Sequence, residues 1–104
     1  MATNTAQLPD SLSACRYTHL TTAATTLIKT GPGYLGSITI NTLAASAVIT
    51  VYDGIDATGA VIAVITNPGT LVIEGPQSAF YGVGFSTGLT TVTTGTQDIT
   101  VSWL

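Results

Sequence analysis

The sequence predicts an all-β fold, a two-sheet antiparallel β-sandwich of about eight strands with a jelly-roll-like arrangement. Three observations carry that prediction. Threonine supplies about a fifth of the 104 residues, and with Val and Ile it provides the β-branched side chains that suit a pleated, half-buried surface. Short apolar–polar alternations recur from Arg16 onward, each bounded by turn residues. No apolar repeat of helical period is sustained over roughly ten residues or more.

Residues 1–15 are read as an N-terminal extended arm, polar and non-periodic, with Pro9 and Asp10 near its middle; residues 16–104 form the sandwich domain. The first alternation is Tyr17-Thr18-His19-Leu20. Thr25 to Lys29, Tyr34 to Thr42, Ala47 to Tyr52 and Ala60 to Thr66 follow, and then Phe80 to Phe85, Leu89 to Thr93 and Ile99 to Leu104. Between them stand Gly31-Pro32-Gly33, Asp53-Gly54, Thr58-Gly59, Asn67-Pro68-Gly69, Gly75-Pro76, Thr87-Gly88 and Thr94-Gly95, residues that fix φ or permit it to be positive where the chain reverses. Ile38 and Ile40 share one strand face, as do Ile99, Val101 and Trp103, while Thr39, Thr100 and Ser102 face the other way. The expected core is Leu27, Ile38, Ile40, Ile49, Val51, Ile62, Val64, Phe85, Val92, Ile99 and Val101. The stretch Leu27 to Ile40 is loosely echoed by Thr91 to Val101, which reads as two similar hairpins.

Composition removes several classes of function. Two basic against five acidic residues give a formal charge of −3 and a pI near 4.4, so the counterion release that drives nucleic-acid binding is missing. Cys15 is the single cysteine, which excludes an intrachain disulfide. Met1 to Leu12 has no basic residue and no apolar run of signal-peptide length, so Sec-dependent export is not expected. The most apolar stretches, Leu43 to Val51 and Ala60 to Ile65, fall short of the roughly 20 residues that span a bilayer.

Material for catalysis is scarce. Cys15 and His19 lie four apart on one expected strand, about 13 Å, too far for a nucleophile–base pair. One His and one Cys do not fill a zinc site. Asp53 and Asp56 flank a glycine-bounded loop that lacks the further acids calcium coordination wants, so two loop corners are the simpler reading. Lys29-Thr30-Gly31-Pro32-Gly33 has the reverse order of a phosphate loop and no helix after it, and reads as a hairpin turn. No enzymatic activity, metal or cofactor is expected. Runner-up classes are a carbohydrate-binding sandwich using exposed Tyr34, Tyr52 or Tyr81, and a small jelly-roll hydrolase using Asp53 or Glu74.

Shortage of charge most needs explaining. Only 7% of residues are charged, against roughly 25% in an ordinary globular protein, while mean hydropathy is +0.51. Outward positions are mainly Thr, Ser and Ala, which cost little to desolvate, and such surfaces suit permanent contact with copies of the chain or with a larger scaffold.

The run Thr25 to Asn41, then Val51-Tyr52-Asp53 with Ala57-Thr58-Gly59, then Phe85-Ser86-Thr87-Gly88-Leu89 and finally Asp98-Ile99-Thr100-Val101 resembles small structural proteins of tailed bacteriophages. The resemblance covers roughly Tyr17 to Trp103. It implies a virion component, above all a head-decoration (cement) protein that binds the major capsid protein and copies of itself, with a trimer favoured over a dimer. Its place is the capsid surface after synthesis in the host cytoplasm. A neck, tail or fibre accessory is the alternative within the class. No nucleic acid, membrane or small-molecule substrate is implied, and no catalytic residue is carried over. Expected interface residues are Leu8, Pro9 and Leu12 of the arm, with Tyr17, Tyr34 and the penultimate Trp103; the arm Met1 to Ala14 is the expected clasp.

Overall fold

The computed structural model describes residues 15–69 and 77–104. Among them run β1 (Arg16–Leu20), β2 (Thr25–Thr30), β3 (Gly33–Thr42), β4 (Val48–Asp53), β5 (Ala60–Thr66), β6 (Gln77–Phe85), β7 (Gly88–Thr93) and β8 (Asp98–Trp103). They make two four-stranded sheets, ordered β1-β8-β3-β6 and β2-β7-β4-β5. Strand β1 pairs with β8, β2 with β7, β3 with β6 and β4 with β5, all antiparallel, so the chain doubles back on itself once, at the loop after β4. Wrapping that long ribbon into two layers adds the β3–β8 and β4–β7 ladders. The result is a jelly-roll sandwich.

The core lies between the sheets. Leu35, Ile38, Ile40, Ile99 and Val101 come from one inner face and Ile49, Val51 and Leu89 from the other, with Phe85 closing one end. Alternation along each strand places them there, because residues two apart share a face and the opposite face is left to Thr and Ser.

Three core expectations are corrected. Leu27 is 48% exposed, because the β2–β7 register shifts between Leu27 and Lys29 and the intervening Ile28 packs on the core instead. Val64 is 58% exposed. In β5 the partner of Val51 is Ala63 and that of Tyr52 is Val61, so Ile62 is an extra residue; Ile62, Ala63 and Ile65 pack on the core, and Val64 is turned out. Val92 pairs with Thr50 on the outer side, and the inner positions of β7 are Leu89, Thr91 and Thr93, opposite Asp53, Val51 and Ile49.

The two echoed segments are likewise not hairpins. β2 and β3 belong to different sheets, and so do β7 and β8, so Gly31 and Gly95 mark passages from one layer to the other. Both have positive φ, +89° and +70°, and the ideal Cβ position at Gly95 lies 2.9 Å from the Ala47 Cβ. A passage between layers bends the chain out of its sheet, and a left-handed glycine provides the bend.

At the end of the sandwich that holds Gly95, a buried amide pair ties three loops together. Asn67 Nδ2 donates to Gln97 Oε1 (3.1 Å) and to the Ala44 carbonyl (3.0 Å), while Gln97 Nε2 donates to the carbonyls of Thr94 (3.0 Å) and Val48 (3.3 Å). Buried side-chain amides are acceptable there because each amide nitrogen finds oxygen acceptors, the Ala44 and Val48 carbonyls taking them in addition to the backbone amides of Ala47 and Thr94.

Candidate functional site

The outer face of the β2-β7-β4-β5 sheet is built in cross-strand rows. Pairings Leu27↔Thr90, Tyr52↔Thr90 and Tyr52↔Val61 make one row; Thr25↔Val92, Thr50↔Val92 and Thr50↔Val64 make the next. Neither row contains a charged residue. Thr90 is fully buried beneath its neighbours and donates its hydroxyl to the Gly54 carbonyl at 2.7 Å. Leu27, Val61 and Val64 stand largely in the open, Val61 at 56% exposure. Their burial against a partner would release apolar hydration at no charge-desolvation cost.

The outer face of the other sheet is polar. Tyr17, opposite Ser102, is 74% exposed, and His19, two residues along the same face, lies opposite Thr100. His19 Nε2 meets Asp98 Oδ1 at 2.5 Å, and Asn41 Nδ2 donates both to that carboxylate oxygen and to Thr100 Oγ1, each at 3.0 Å. Next along, the Thr39 and Ser78 hydroxyls bond at 2.9 Å. The Asn41 and His19 hydrogen bonds hold the Asp98 carboxyl below the usual carboxylate range. This network fastens β1 to β8 and β8 to β3 at the surface.

The two carboxylates of the Asp53–Asp56 loop are directed at different partners. Asp53 accepts the backbone amides of Thr87 (2.8 Å), Ser86 (3.0 Å) and Gly88 (3.4 Å), together with the Ser86 hydroxyl (3.2 Å). Those bonds, that of Thr87 foremost, lower its pKa. Asp56 accepts from the Thr58 hydroxyl (2.5 Å) and amide (2.9 Å), closing a local turn and lowering its own pKa. Each carboxylate braces a bend, and among the described residues no group of three or more His, Cys, Asp or Glu gathers in metal-binding geometry.

Of the expected interface residues, Leu8, Pro9 and Leu12 lie outside the described residues, as does Glu74 of the hydrolase alternative. Tyr17 is on the polar outer face, whereas Tyr34 is half-buried near the opposite edge, its hydroxyl 3.0 Å from the ideal Cβ position of Gly82. Trp103 packs against the core and its indole N–H donates to Thr18 Oγ1 at 2.9 Å, tying β8 to β1 within one chain. The described three, Tyr17, Tyr34 and Trp103, thus stand at separate places. Sequence reasoning missed the exposed Leu27–Val61–Val64 surface because the unbroken apolar run Ala60 to Ile65 reads as core and the register shift that turns Leu27 outward is set by the neighbouring strand. It also missed His19–Asp98, whose members are 79 residues apart.

Fold and surfaces together define a jelly-roll sandwich, with eight strands among the described residues, one neutral outer face carrying exposed apolar side chains and one polar outer face. Comparison with protein-family models, curated proteins and solved structures finds no match.

Proposed function

We propose that the chain is a structural component of a tailed-bacteriophage virion, and specifically a decoration protein that binds the outer capsid surface and stabilises the head. Its partners in this reading are the major capsid protein and copies of itself, and its role is to hold contacts rather than to catalyse. The observation that carries the proposal is the charge-free outer face of the β2-β7-β4-β5 sheet with Leu27, Val61 and Val64 exposed. A monomer working alone gains nothing from such a face, while a protein repeated over a shell sums many modest apolar contacts into a stable assembly. Jelly rolls serve in viral capsids and in lectins alike, so the fold permits the role without selecting it. Tyr17 is the one aromatic of high exposure among the described residues, and a single ring makes a poor sugar platform, which places the carbohydrate reading second. The arm Met1 to Ala14 is the proposed clasp.

Quantifying this chain in purified virions tests the proposal. Hundreds of copies per particle, near the number of major capsid proteins, are expected for a decoration protein. About 3 to 12 copies would move it to the neck or tail axis. Absence from the particle would overturn the assignment.

A further inference from the structure

We propose that β5 is a self-association edge: two copies pair their β5 strands antiparallel about a two-fold axis at Val64, joining two four-stranded sheets into one of eight strands. The inference is independent of the virion reading.

Among the described residues the sandwich has four edge strands, β1 and β6 in one sheet and β2 and β5 in the other. An edge offers unpaired N–H and C=O groups, and proteins that remain apart guard it with charge, Pro, Gly or a break in the pairing. β1 carries Arg16 and His19. β2 carries Lys29 beside a register shift, and β6 carries Gly82 at φ +62° with a shift in its pairing to β3. β5, Ala-Val-Ile-Ala-Val-Ile-Thr, has no charge, Pro or Gly, and after its one irregularity at Ile62 it runs in unbroken register with β4 from Ala63 to Thr66. Its outward Val61 and Val64 are both more than half exposed. Among the described edges it is the one with no charge, Pro or Gly.

The occupant follows from parity and charge. Antiparallel partners must share a face, so a two-fold through Val64 sets Val64 against Val64 outside and Ala63 against Ile65 inside, all neutral and suited to cross-strand packing. The same operator places the acidic loops with Asp53 and Asp56 at opposite ends of the joint ladder. The two Ala60 residues then lie about 27 Å apart, several Debye lengths at physiological salt. Parallel pairing would bring those loops within about one strand spacing, roughly 5 Å, of each other. Only the antiparallel arrangement separates like charge while extending the neutral row Thr25–Val92–Thr50–Val64 across both copies. A closed two-fold pair results, in place of the three-fold ring that the virion resemblance implies.

Sedimentation of the full chain from about 1 to 100 µM is expected to show a monomer–dimer equilibrium, with amide protection at residues 60–66 rising with concentration. Val64→Lys sets two like charges across the axis and is expected to weaken dimerisation at least ~10-fold while far-UV CD and Tm stay near wild type. An equimolar mixture of Val64→Lys and Val64→Glu is expected to dimerise again, which a merely misfolded variant cannot do. A wild-type chain that stays monomeric with concentration-independent exchange in β5 would overturn the proposal, and so would a dimer that Val64→Lys leaves intact. Neither result depends on copy number in virions.

Discussion

Threonine at position 91 faces the interior between Val51 and the opposite sheet, and its hydroxyl is buried with no hydrogen-bond partner among the described residues. Thr93, two residues on and also inward, differs: its hydroxyl donates to the Thr22 carbonyl at 3.0 Å and accepts from the Ala24 amide at 3.2 Å. The same residue type on the same strand face therefore carries opposite signs of energy. An unsatisfied buried hydroxyl costs of order 1–3 kcal/mol, so Thr91→Val is expected to stabilise the protein by about 1 kcal/mol, or roughly 4–8 °C in Tm. Thr93→Val is expected to destabilise it, since a backbone amide and a carbonyl lose a partner. Thermal melts of both variants check the pair of signs; an unchanged or lowered Tm for Thr91→Val would show that the hydroxyl is satisfied in solution. Residue pattern alone does not reveal this. In Gly88–Thr93 the apolar Leu89 and Val92 lie three apart, which fits neither strand face, and the face containing two threonines is the one turned inward.

Strands and turns were legible in the sequence because each is a local matter. Alternation is readable over five or six residues, and Gly, Pro, Asn and Asp announce the bends, so the pattern locates each of the eight described strands within a few residues of its ends. Ladder irregularities were not. The shifts at Ile28 and Ile62 depend on what the neighbouring strand offers, and one extra residue inverts the faces beyond it. The same holds for the connection from β6 to β7: Ser86-Thr87 reads as a simple turn, yet the carboxylate that braces it comes from Asp53 at the end of β4. Its folded pKa is lowered by those amide bonds, so it contributes stability in full above the unfolded value of about 3.9 and loses it as pH falls through the lower folded value. Asp98 and Asp56, also lowered, add the same sign. Asp53→Asn is expected to lower Tm at neutral pH and to reduce the acid dependence, so that its melting curve approaches wild type as pH falls from about 7 toward 2. Parallel Tm–pH profiles for the two proteins would show that the brace is not the source.

Over the whole molecule, the decisive fact is where the chain's end goes. β8 sits between β1 and β3, is the sole ladder partner of β1 among the described strands, and brings Trp103 to Thr18 across 85 residues of sequence. Leu104 continues the ladder, exchanging both backbone hydrogen bonds with Tyr34 at 2.8 Å. Among the described strands only β4 and β5 are joined directly to a hydrogen-bonded neighbour; every other connection carries the chain to the opposite sheet. Apart from the β4–β5 hairpin, the described ladders join strands distant in sequence, and each needs a long loop closed before any contact repays it. Refolding is therefore expected in the millisecond-to-second range, as for other sandwiches of high contact order. Trp103, the only tryptophan, reports it directly, since its half-buried ring gains its environment when β8 inserts. Stopped-flow fluorescence at that position is expected to coincide with the recovery of far-UV CD, because the last strand closes the sheet that it centres. A chain lacking residues 98–104 is expected to show no cooperative melt, having lost both the partner of β1 and one neighbour of β3. A full-amplitude microsecond phase, or a truncated chain that melts cooperatively, would mean that the ladders form independently and that the two layers are not a single folding unit.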